Sequence, residues 1–453
     1  MGGASSMRKT IWDQHRNKLR TAAEAVKVVK SGDWIYYSHF AMTPVTLDNA
    51  LARRVGEITD VKISLSNGMH PVQAAACDPE RKTFTYNSTF YSKSDRNLAK
   101  QGLTFFIPAN YHEQPWRLRN GFSPKPNVVM VKTTPMDNNG LFNFGTSNSY
   151  IKAATEVADI VIVETNEGVP RCLGGHSENI HISDVDYIVE AEKAPMIVVP
   201  KPKVSPEEVK MAELIIEEIR DGACLQLGIG GLPNTVGSLI AESDLKDLGM
   251  HSEMMCDAFM DLYDQGKITG RYKYTDRNKM IYTFAMGTPE LYEFLDDNPV
   301  CASYPVDYTN TAEHIARNDN MISINNALQV DLYGQSASEA IGDKHISGSG
   351  GQGDFVIGAA KSRGGKAFIC MRSTRQVGDK TLSRIVPDVH GIVSIPRAWA
   401  FYVVTEYGKV CLKGKSTWEI AESLISIAHP DFRDELIKSA EAKGIWRKRN
   451  KNV

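Results

Sequence analysis

Short runs of aliphatic and β-branched residues recur from one end of this sequence to the other, and they constrain the fold more than any other feature. Residues 128–131, 159–164, 196–199 and 401–405 lack the polar alternation of a half-solvated strand. They read as strands of parallel sheets covered by helices on both faces. Stretches with helical periodicity separate them, so the predicted class is α/β. A chain of 453 residues leaves room for two such domains of about 200–250 residues or three of about 150.

An internal echo favours two. Thr21 opens a T-x-x-E capping box at 21–24 whose helix is expected to stop at Ser31-Gly32. Ser205 opens a second box, SPEE at 205–208, with Pro206 at the first helical position. Its helix would present Val209, Ala212, Ile215, Ile216 and Ile219 on one face and end at Asp221-Gly222. After each glycine a strand is predicted, 33–37 and 223–227, then a loop of small residues, Pro44 or Pro233, and another helix. Two open α/β domains of similar topology, 7–203 and 204–453, are the expectation. The alternative is that this order of elements recurs by chance, as it can in any α/β protein. The six residues before Met7 read as an added leader outside both domains.

Composition removes several functions. Lys and Arg number 52 against 54 Asp and Glu, a net charge of −2 with no long basic run. That argues against nucleic acid or an anionic membrane as the main partner. Apolar residues make up 42 % and charged residues 23 %, which excludes a disordered chain. No run approaches the roughly 20 apolar residues of a membrane span. The seven cysteines never form C-x-x-C, which fits a reducing cytoplasm rather than a disulfide scaffold or zinc finger.

Two glycine clusters point to chemistry. GIGGLPN at 228–234 joins a predicted strand to a predicted helix. Bare backbone N–H groups at such a helix start stabilise an oxyanion or phosphate; the alternative is a tight turn needing positive φ. GSGGQG at 348–353 matches G-x-G-x-x-G. Its context fails, because residues 344–347 make a poor buried strand and no acid lies about 20 residues on. A P-loop fails too, since Lys409 stands where glycine is needed before Gly414-Lys415-Ser416. No histidine pattern suits a catalytic metal, and no nucleophile elbow occurs.

With these loops go HSEM at 251–254, FAMGT at 284–288, PVDY at 305–308, ISINN at 322–326, SGSGGQ at 347–352, VVTEYG at 403–408 and AHPDF at 428–432. In this order they resemble the family I CoA-transferases of the acetyl-CoA hydrolase/transferase group, in its branch acting on butyryl-CoA and 4-hydroxybutyrate. NFGTS at 143–147 and PRCLGG at 170–175 extend the resemblance into the first half. It implies two similar α/β domains with the active site between them, and a homo-oligomer. It implies Glu253 as a nucleophile, and CoA contacts from Gly228, Ile229, Gly230, Gly231, Leu232, Leu328 and Gly351. The matching distance past Gly32 falls near Ile63-Ser64, without a carboxylate, so only the second half would carry the chemistry. CoA would be a substrate, with no tightly bound cofactor and no metal. Glu253, ionised at neutral pH given a reference pKa of about 4.3, would pass CoA from a short-chain acyl-CoA to acetate through a glutamyl-CoA thioester. Water in place of acetate would make a hydrolase. Met69, His70 and Tyr91 are first-half candidates for the acyl pocket.

Overall fold

The computed structural model describes residues 2–201, 203–228 and 230–447. The chain separates into two compact units, Met1–Val199 with Ile281–Thr309, and Pro200–Met280 with Asn310–Val453. A seven-stranded parallel sheet organises the first. Its strands lie in the order Thr104–Phe106, Phe84–Ser88, Val61–Leu65, Trp34–Tyr37, Val128–Thr133, Ile160–Thr165 and Tyr187–Glu190. Residues 128–131 are buried on both faces, which is why their sequence shows no alternation.

The second unit has a six-stranded sheet in the order Gly249–Met250, Cys224–Leu227, Met321–Asn326, Lys366–Cys370, Tyr402–Thr405 and Gly408–Cys411. Only the last pair is antiparallel. Helix Gln352–Lys361 packs on the two central strands, burying Phe355 and Val356 against Ile369 and Val403.

The echo in the sequence is an echo in topology. Each unit starts its sheet with an interior strand, Trp34–Tyr37 or Cys224–Leu227, whose successor lies on one side and a later strand on the other. Such a reversal opens a crevice at the carboxyl ends of the strands, where open α/β sheets bind ligands. Both capping boxes are formed, each cap worth about 1 kcal/mol.

The structure departs from the sequence expectations in three places. The helix after Thr21 is α-helical only over Ala22–Ala25 and tightens to a 3-10 turn at Val26–Val28, where β-branched side chains crowd the preceding turn. Residues 196–199 join no sheet. Met196 instead packs with Ala41, Met42, Val169 and Tyr292, and Val199 N–H donates to Gly287 O at 2.9 Å. Helix Gly2–Lys18 takes in residues set aside as a leader.

The units also divide differently from a single boundary at 203/204. The first crossing falls at Val199, and Ile281–Thr309 returns to the first unit. Backbone bonds hold it there, with Asn148 and Ser149 donating to Thr283 O at 3.0 and 3.2 Å, Ala285 donating to Thr146 O at 2.8 Å, and Ser303 donating to Leu173 O at 2.8 Å. Among the described residues no helix is long and apolar enough to cross a membrane.

Candidate active site at the carboxyl edge of the second sheet

Three adjacent parallel strands deliver the expected segments to one edge. Cys224–Leu227 runs into Gly228, Gly249–Met250 into His251-Ser252-Glu253, and Met321–Asn326 toward Leu328. Gly228 N–H donates to Ile324 O at 2.9 Å, tying the glycine loop to the neighbouring strand. Gly230 has φ 129° and ψ −171° and caps the helix Gly231–Glu242. That conformation is closed to side chains, so this glycine is fixed by the backbone. A Cβ on Gly231 would meet Glu208 Oε1 at 2.5 Å. Leu232 is buried and serves the core. Leu328 is half-buried, its N–H donating to Ala337 O at 2.8 Å. Ile229 lies outside the described residues.

Glu253 stands apart from the two residues before it. His251 and Ser252 are fully buried, the His251 ring 6.4 Å from that of Phe355. Glu253 is half-buried, and its Oε2 accepts from Asn310 Nδ2 at 2.6 Å. Gly351 supplies a backbone N–H to the same carboxyl. Asp354 lies behind, 3.4 Å from Asn310 Nδ2. Burial, helped by the charge of Asp354, pushes the Glu253 carboxyl up to about 7, against the opposing pull of Asn310 and the Gly351 N–H. Full ionisation at neutral pH, expected from the reference value, is therefore corrected to a group near its midpoint.

Glu253 and Gly351 are thus brought into contact, and the glycine loop at 228–231 lies on the same edge. A carboxylate beside an amide donor, a backbone N–H and a glycine helix cap can attack an acyl carbonyl and stabilise the oxyanion that forms.

Family models for the acetyl-CoA hydrolase/transferase N-terminal and C-terminal domains match residues 4–200 and 287–440. The chain belongs to the acetyl-CoA hydrolase/transferase family. Butyryl-CoA:acetate CoA-transferase of Anaerostipes caccae is 50 % identical over 443 residues, covering 97 % of this chain and 99 % of its own. A probable butyrate:acetyl-CoA coenzyme A-transferase of Syntrophomonas wolfei is 48 % identical, covering 98 % and 100 %. The crystal structure of RipA from Yersinia pestis superposes with a TM-score of 0.89 at 37 % identity, covering 96 % and 99 %.

Within this acetyl-CoA hydrolase/transferase chain, two residues of the Glu253 environment escape sequence reading. Asn310 follows the PVDY motif by two positions, and Asp354 follows the glycine loop by one. The signal was proximity to a motif, and a lone Asn or Asp is too common in loops and helix starts for that to single it out.

Proposed function

We propose that this chain transfers CoA between a short-chain acyl-CoA, butyryl-CoA first, and acetate, with Glu253 as the covalent nucleophile. The observation that carries the reading is the Glu253 carboxyl, held by Asn310 and the Gly351 N–H in a chain 50 % identical to a butyryl-CoA:acetate CoA-transferase. The Glu253 carboxylate attacks the thioester carbonyl and expels CoA thiolate, leaving a butyryl-glutamyl anhydride. The thiolate attacks the glutamyl carbonyl, expels butyrate and leaves a glutamyl-CoA thioester. Acetate runs the two steps in reverse, releasing acetyl-CoA and restoring the carboxylate, so the kinetics are ping-pong. Each tetrahedral oxyanion needs donors, and the backbone N–H groups of Gly230 and Gly231, at the start of the helix on the same sheet edge, are the candidates, one such donor being worth roughly 3 kcal/mol. The substrates are acyl-CoA and small carboxylates, and no step needs a metal or redox cofactor.

Incubation with butyryl-CoA alone, followed by digestion and mass spectrometry, is expected to show a CoA adduct on the Glu253 peptide that disappears on adding acetate as acetyl-CoA forms. Turnover without any such adduct under trapping conditions would remove the glutamyl-thioester route. The family also includes hydrolases, in which water replaces acetate; release of free CoA without added carboxylate would identify that outcome. A higher kcat/KM with 4-hydroxybutyryl-CoA than with butyryl-CoA would reassign the acyl group.

The pH dependence has a definite sign. The attacking form is the carboxylate, so kcat/KM for butyryl-CoA falls as pH drops through about 7 with the slope of one proton. Asn310→Ala removes a donor that favours the carboxylate. Its profile moves to higher pH, and its activity at neutral pH drops about tenfold or more, the worth of a hydrogen bond to a charged group. A flat profile across neutral pH, or an Asn310→Ala profile that does not move, would contradict this assignment.

A further inference from the structure

The strand Gly249–Met250, which delivers Glu253, is the outermost on its side of the second sheet. Gly249 and His251 turn their N–H groups inward, donating to Ala223 O at 2.9 Å and Leu225 O at 3.1 Å. Backbone groups alternate in side along a strand, so the carbonyls of Leu248 and Met250 face outward. Such a carbonyl needs a donor once it is buried. At Leu248 the donors are the N–H groups of Thr269 and Gly270, at 3.0 and 2.9 Å. At Met250, which is fully buried, the donor is a side chain. Lys273 Nζ donates to Met250 O at 2.8 Å and to Lys279 O at 2.7 Å.

Lys273 is built into the fold rather than laid over its surface. It is 2 % exposed, a rare placement for a lysine. Burial pushes its ammonium down to about 8, against the opposing pull of Cys224 and Asp276. Its stem crosses the strand at Gly249, where a Cβ would meet Lys273 Cγ at 2.7 Å and Cδ at 3.1 Å. Glycine there makes room for the lysine. The backbone of Lys273 is held on both sides, its own N–H donating to Gly270 O at 3.2 Å. The next two N–H groups, of Tyr274 and Thr275, donate to Oδ1 of the buried Asn318 at 3.1 and 3.3 Å. An ammonium has three N–H groups and an amine two, so both carbonyls are served in either protonation state. Met250 lies three residues before Glu253, and a carboxyl that must meet a thioester carbonyl tolerates little displacement.

We propose that Lys273 is a positioning residue for CoA transfer, a clamp on Met250 O that fixes the strand carrying Glu253. For its effect on rate the proposal rests on the reading of Glu253 as the nucleophile. It gives the lysine no contact with substrate and no proton to move.

The test compares Lys273→Met, which fills the space and donates nothing, with Lys273→Gln, which keeps two N–H groups on a shorter stem. Well below its melting temperature, Lys273→Met is expected to lower kcat and the single-turnover rate of adduct formation from butyryl-CoA at least about tenfold. KM for butyryl-CoA is expected to stay within about twofold, and Lys273→Gln to recover part of the lost rate. Amide hydrogen exchange is expected to quicken over residues 249–253 and to hold over 366–370. A merely structural role would lower the melting temperature and leave kcat per folded molecule unchanged. Wild-type kcat in folded Lys273→Met would overturn the proposal, and so would a loss confined to KM. Should Lys273→Met fail to fold, Gly249→Ala decides, because its methyl displaces the lysine stem and keeps the amine. The same fall in kcat is expected there, and a wild-type kcat would overturn the clamp. A wild type that exchanges no CoA and forms no adduct would instead remove the reading of Glu253 as nucleophile. Hydrogen exchange in the two variants then decides the clamp alone: quicker exchange over 249–253 sustains it, and unchanged exchange removes it.

Discussion

Glu253→Gln is expected to lower CoA exchange at least about 10⁴-fold, the order seen when a covalent nucleophile is removed, and to leave no adduct on its peptide. The same variant is expected to melt at a higher temperature than the wild type above neutral pH. The folded protein raises this carboxyl from an unfolded value of 4.5 to about 7, so the folded state favours the protonated form. Its contribution to stability is fully present below the unfolded pKa and is lost as pH rises through the folded one. Glutamine keeps an oxygen to accept from Asn310 and carries no charge to desolvate. The gap in melting temperature should therefore open between pH 5 and 8, a few degrees at its widest. A variant that loses activity and also melts lower at pH 8 would show Glu253 to be a structural group. One that retains exchange would move the nucleophile elsewhere.

Gly351→Ala has the second largest expected effect. Gly351 has φ −103° and ψ 10°, which alanine adopts, so the backbone does not demand glycine. The space does: a Cβ there would overlap both Glu253 Oε2 and Asn310 Nδ2, the two atoms of the 2.6 Å bond. Either the carboxyl moves or the amide does. Misplacing a reacting group by about 1 Å can cost on the order of 10²-fold in rate, and kcat is expected to fall by at least that much. An alanine variant with wild-type kcat would show that the attacking conformation of Glu253 differs from the one described above.

Much of this was legible in the residues themselves, for identifiable reasons. Ser205-Pro206 and Glu208 mark a helix start by local chemistry alone, and the box forms as written. Residues 128–131 are a strand because nothing polar interrupts them. Glycines 228–231 bracket a strand-to-helix turn whose geometry their composition dictates. What failed depended on distance along the chain. Residues 196–199 are as apolar as a strand, and only the absence of a sheet partner makes them a connector. Asn310 reaches Glu253 across 57 positions, and no spacing rule links them. The elevated pKa of Glu253 arises from burial and from Asp354, neither of which is visible in HSEM.

The return of Ile281–Thr309 to the first unit also orders events at the ribosome. A chain made from its N-terminus cannot finish the first unit when residue 199 emerges; it must wait until 309 has been synthesised. At ordinary elongation speeds that delay is on the order of ten seconds, during which the surface that will receive Leu291 and Leu295, both buried in the finished protein, stands open. Asn310, the residue that will grip Glu253, emerges as the next residue after the wait ends. The polypeptide thus completes its first unit before it can begin to assemble the carboxyl group's surroundings in the second.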